Sequence, residues 1–85
     1  MARIIDGEQS NLIGGIVREY RKKRKMSQRA LSEKLELLGV YICRGSVSRI
    51  EDCSRTVTDI ELFALVKVLQ IPMDEITERI LKQYD

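Results

Sequence analysis

With 85 residues the chain is long enough for one domain, and a domain this small buries only about 60–65% of the surface its unfolded chain exposes, so its core must pack efficiently. A composition of 44% hydrophobic and 33% charged residues excludes an intrinsically disordered chain. The formal charge of +2 hides an asymmetry: residues 1–50 carry eleven Lys or Arg and five Asp or Glu, residues 51–85 four and eight, a division that suits a chain with one polyanion-facing part.

Apolar residues recur three and four apart from Leu12 onward, with no sustained period-two alternation, so the fold class is all-α. Residues 1–10 read as an N-terminal tail and 11–85 as the folded domain. The first helix is expected to be capped by Ser10 or Asn11 and to run to Lys23, burying Ile13, Ile16, Val17 and Tyr20, with Glu19 and Lys23 as an outer i,i+4 pair. Gly14 and Gly15 weaken it by about 1 kcal/mol each relative to alanine. Five consecutive cations, Arg21 to Lys25, follow, and on a helix end they cannot all face one ligand. Ser27 caps a second helix that buries Leu31, Leu35 and Leu38 and stops at Gly39, a residue suited to a left-handed C-terminal cap. Residues 40–43 form a connector with Ile42 inward. A third helix spans roughly Arg44 to Asp52 and buries Val47 and Ile50. Thr58 and Glu61 form a capping box that opens a fourth helix through Leu62, Phe63, Leu65, Val66 and Leu69. Pro72 introduces a fifth, with Asp74 and Glu75 near its positive end, Ile76 and Ile80 buried, and Tyr84 close to its finish.

No apolar run approaches the roughly 20 residues of a membrane span, and the first twenty residues lack a signal-peptide layout, so a cytoplasmic protein with no membrane partner is expected. Cys43 and Cys53 with no histidine make no zinc site, and they read as free thiols, a redox role for either being left open. Without histidine the commonest general base is missing, and neither an enzyme, a cofactor nor a small-molecule ligand is expected.

The segments IGGIVREYRKKRKMSQRALSEKL, RGSVSRIE and VTDIELFALVKVLQIPMDEI, in that order and spacing, resemble the phage repressor and Cro (XRE-like) helix-turn-helix family over residues 12–77. The resemblance implies a five-helix repressor-like domain binding double-stranded DNA as a transcriptional regulator, most simply a repressor. It implies a third helix lying in the major groove, with Arg44, Ser46, Ser48 and Arg49 as base contacts. Ser27, Gln28, Arg29, Lys25 and Tyr41 are the candidate phosphate contacts, those at the start of the second helix being helped by its exposed amides. Arg21 and Glu51 match a family ion pair tying the recognition helix to the scaffold. Specific binding implies a homodimer, for which Leu69, Ile71, Met73, Ile80, Leu81 and Tyr84 are the candidate surface.

The chain also departs from the family pattern. The stretch from Leu35 to Val47 is about five residues longer than in compact phage repressors, Gly45 replaces a long base reader, Asp52 stands where an asparagine often meets the backbone, and Lys25 and Cys53 replace glycines at helix ends. Two other readings stay open: the antitoxin of a toxin–antitoxin pair, and a protein-interaction module that has lost DNA binding. Each of these requires a protein partner.

Overall fold

Five helices account for most of the computed structural model, which describes residues 9–83: α1 (Gly14–Lys23), α2 (Gln28–Leu37), α3 (Arg44–Glu51), α4 (Asp59–Leu69) and α5 (Met73–Gln83). The described residues contain no strand. Residues 1–8 of the expected tail, and Tyr84, lie outside the described residues. The core is a single cluster in which Val17, Leu31, Leu35, Val47, Ile50, Leu65 and Leu69 are fully enclosed, with Ile13, Ile16, Tyr20, Ile42, Ala64, Ile71 and Ile76 around them.

The helix ends share one device. After α1 the amides of Lys25 and Met26 donate to the carbonyls of Lys22 and Arg21; after α2 those of Gly39 and Val40 donate to Glu36 and Leu35; after α3 those of Cys53 and Ser54 donate to Ile50 and Arg49. Each is a Schellman closure, which turns on one left-handed residue. Gly39 takes that conformation at φ +81°, whereas Lys25 and Cys53 take it at +59° and +61° against the steric preference of a side chain. Met26 and Val40, the residues that follow two of these turns, pack against the core and complete the motif.

Entry into α1 differs from the sequence expectation. The helix begins at Gly14, and Asn11 caps it from outside, its Oδ1 accepting from the amides of Ile13 and Gly14 at 3.0 and 2.7 Å. The same side chain donates through Nδ2 to the carbonyls of Ile50 and Arg55 at 3.1 and 2.8 Å, fastening the start of α1 to the end of α3. The two helices meet so closely that a Cβ on Gly14 would lie 2.2 Å from the Ile50 carbonyl oxygen. Gly14 is therefore a packing requirement, while Gly15 next to it faces open space.

Other expectations are corrected by packing. Glu19 pairs with Arg79 of α5 rather than with Lys23, the Nη2 to Oε2 distance being 2.5 Å, and Arg79 also holds Glu75 at 2.8 Å. Tyr20 donates its hydroxyl to Glu75, so α5 is fastened to α1 through four side chains, two from each helix. Leu38 follows the last turn of α2 and is 43% exposed instead of buried. Thr58 and Glu61 form both bonds of the capping box, and Glu61 additionally takes Arg55 at 2.8 Å. The Arg55 guanidinium, with the Thr58 bonds in support, holds the Glu61 carboxyl below the usual carboxylate range.

Two outcomes are expected from this packing. In urea titrations, Gly14→Ala is destabilised by about 2 kcal/mol or more because backbone must move to admit the methyl group, whereas Gly15→Ala is stabilised by up to ~1 kcal/mol. Because the pKa of Glu61 is lowered on folding, its contribution is full above the ordinary carboxylate range and is lost as pH falls through the folded value. Glu61→Gln should therefore show a smaller fall in stability on acidification than the unsubstituted chain.

Candidate nucleic-acid interface

The first three helices meet at one carboxylate. Glu51, on the last turn of α3, receives Arg21 of α1 through Nε to Oε2 at 2.6 Å and Nη2 to Oε1 at 3.1 Å, and Oε1 also accepts from Gln28 Nε2 of α2 at 3.0 Å. The remaining arm of Arg21 donates to the Met26 carbonyl at 2.7 Å, bracing the turn between α1 and α2. The side chains are only 10% and 2% exposed. Among the described residues no buried side-chain nitrogen or oxygen lacks a partner. A bidentate arginine–carboxylate pair with its other donors and acceptors satisfied is the arrangement in which burial of two charges is tolerated.

With its inner face held by Val47, Ile50 and Glu51, α3 turns the opposite face to solvent. Helical spacing places Gly45, Arg49 and Asp52 along the middle of that face and Ser48 and Ser46 on its shoulders, while Arg44, two turns before Glu51, projects at the N-terminal end. Arg44 and Arg49 are exposed and Ser46 and Ser48 half-buried. Arg49 folds back along the helix, donating to Ser46 Oγ at 3.1 Å, and a Cβ on Gly45 would meet only its Nη1, at 3.9 Å. Gly45 thus leaves the helix backbone uncovered beside the Arg49 guanidinium.

The longer connector is ordered by alternation: Val40 and Ile42 turn inward, Tyr41 outward, and Ser32 Oγ donates to the Ile42 carbonyl at 2.6 Å. A shallow cleft between α2 and the start of α3 is lined by Arg29, Tyr41, Arg44 and Ser46, and also by the acids Glu33 and Glu36. Lys25, Ser27 and Gln28 lie at the other end, where Gln28 reaches Glu51. The candidate phosphate contacts therefore gather at the start of α2, except Tyr41 in the connector. The Gln28 amide is already engaged by Glu51, and the Ser27 hydroxyl accepts from the Ala30 amide at 3.0 Å as the cap of α2.

The cationic run is divided by function. Arg21 is committed to Glu51, Arg24 donates to the carbonyls of Leu69 and Gln70 at the end of α4, and Lys23 sits over the Tyr20 ring. Lys22 and Lys25 are exposed beside them. Cys43, the residue before α3, is an exposed free thiol whose Sγ lies 3.4 Å from Ser46 Oγ. The Ser46 hydroxyl and the amides of Ser46 and Gly45 hold that thiol below its ordinary pKa. Cys53 is half-buried against Gly14.

Two candidate dimer residues are corrected by this structure: Leu69 and Ile71 are 0% and 4% exposed and fill the core of a single chain, so they offer nothing to a second copy. Ile80 also packs against that core, while Met73 and Leu81 are exposed. Sequence reasoning missed the second task of Asn11 and the Arg24 contact with α4. Neither has a local signal, since both partners lie about forty residues away in the chain.

A short α2, a connector and an exposed α3 pinned to α1 define a helix-turn-helix DNA-binding unit. A helix-turn-helix family model matches residues 17–76, and the chain belongs to that family, in its XRE-like branch. No curated protein matches the chain. It is a DNA-binding transcriptional regulator of the XRE type, built on a regulatory rather than a catalytic domain. No described helix is long and apolar enough to cross a membrane.

The buried pair makes a stability prediction. Arg21→Ala leaves Glu51 charged and enclosed, and should cost about 3–5 kcal/mol in chemical denaturation. An unchanged denaturation midpoint would remove the pair from the folding account.

Proposed function

We propose that this chain is a repressor that binds two operator half-sites as a homodimer, with one α3 in each major groove. The observation that carries the reading is the two-sided character of α3: its inner face is fixed by Glu51 while Gly45 and Arg49 stand exposed on the outer side and Arg44 is exposed at the N-terminal end. Arg44 and Arg49 are the base readers, each able to bond guanine O6 and N7 together, with Ser46 and Ser48 as shorter contacts. Lys25, Ser27, Gln28 and Arg29 around the start of α2, with Tyr41 in the connector, contact phosphates beside the groove. Gly45 lets the α3 backbone approach the base edges closely, which compensates for the missing long side chain at that position. Repression follows from occupancy of a promoter and needs no ligand or catalytic step.

The test is selection of bound sequences from random duplex DNA, followed by Arg44→Ala and Arg49→Ala on the selected operator. Each substitution should relax preference at one defined base pair, by about 1–3 kcal/mol of discrimination. Uniform weakening over all sequences would make both residues phosphate contacts instead. For a dimer neutralising about eight phosphates, the log–log dependence of affinity on salt should have a slope near −7. A flat slope with affinity for a protein partner would favour the interaction-module reading.

A further inference from the structure

Phe63 is the chain's one phenylalanine, and it faces water. It stands on the side of α4 opposite Leu65 and Leu69, with Ile60 one turn before it; both Ile60 and Phe63 are 67% exposed. Asp59 and Lys67, both exposed, bound the same strip of helix. The order along the strip is therefore acid, isoleucine, phenylalanine, base, and Phe63 lies midway, one helical turn from each charge.

That order is self-complementary in one arrangement. Laying a second α4 antiparallel across a two-fold axis at Phe63 sets Asp59 of each copy against Lys67 of the other, with the Phe63 rings meeting at the centre. An in-register parallel pairing would instead oppose Asp59 to Asp59 and Lys67 to Lys67. We propose that the outer face of α4 is the surface on which a second copy of this chain docks, in that antiparallel register. The proposal rests on the dimeric reading above and replaces Leu69 and Ile71 as its contact surface. An eleven-residue helix pair falls short of the ~1,200 Å² that stable interfaces bury, so the free dimer is weak and is consolidated by adjacent half-sites on DNA.

The test is sedimentation equilibrium at high protein concentration on the full chain and on Phe63→Glu, Asp59→Lys, Lys67→Asp and the Asp59→Lys/Lys67→Asp double variant, each checked by thermal melting. All these positions are exposed, so the variants are expected to fold. Phe63→Glu should lower association at least about tenfold, each single charge change should weaken it, and the double variant should recover it. On DNA, Phe63→Glu should bind a single half-site like the unsubstituted chain and lose cooperativity on paired half-sites. The proposal is overturned if the unsubstituted chain is monomeric both free and on paired half-sites, if Phe63→Glu associates unchanged, or if the folded double variant does not recover. Failure of the unsubstituted chain to bind any DNA would fall on the repressor reading alone, because sedimentation still decides the surface.

Discussion

The carboxylate of Glu51 is the point through which α1, α2 and α3 are held at fixed angles. Its two oxygens take Arg21 twice and Gln28 once, and the third arm of Arg21 braces the Met26 carbonyl. Enclosing two charges costs several kcal/mol per ion before any attraction is counted, so the arrangement persists because every donor and acceptor is matched. Its value lies less in net stability than in geometry. A planar guanidinium bonded at three points admits few orientations of α3, whereas the apolar contacts of Val47 and Ile50 alone would tolerate small rotations of that helix.

Backbone contacts at the same end of α3 act in concert with this pair. Gly14 lets α1 lie against the Ile50 carbonyl, and Asn11 bridges that carbonyl to the start of its own helix. At the other end Ser32 holds the Ile42 carbonyl just before α3 begins. With both ends fixed from within, Arg49 on the outer face bonds only its helical neighbour Ser46, at 3.1 Å, and Arg44 stands exposed at the N-terminal end. The charge asymmetry of the chain is divided in the same way. Arg21 and Arg24 are committed to scaffold contacts and Lys23 lies on Tyr20, so the exposed cations left on and around α2 and α3 are Lys22, Lys25, Arg29, Lys34, Arg44 and Arg49.

Local physics was legible in the amino-acid sequence, and distant pairing largely was not. The Thr58–Glu61 capping box, the Ser27 cap and the stop at Gly39 depend on residues within one turn of each other, and each is formed. The Arg21–Glu51 pair came from family resemblance and not from spacing, since nothing local links positions thirty residues apart. Glu19 shows the same limit: Lys23 is its helical neighbour, yet Arg79, sixty residues on, holds it. Gly14 was indistinguishable from Gly15 until a neighbouring carbonyl was in place. Helix α4 failed for a different reason. Ile60, Leu62, Phe63, Ala64, Leu65, Val66, Val68 and Leu69 are apolar on all sides of the helix, so periodicity could not say that Leu69 turns inward and Phe63 outward.

The most direct test of the central claim, that the Glu51 junction aims α3 at DNA, is the ratio of operator to random-duplex affinity for Glu51→Gln. The substitution keeps shape and leaves the cationic surface intact, so non-specific attraction to phosphate is preserved. Measured where melting shows the variant folded, the ratio should fall at least about tenfold, the loss of roughly one good base contact. A folded Glu51→Gln chain that discriminates operator from random DNA as well as the unsubstituted chain does would contradict the account.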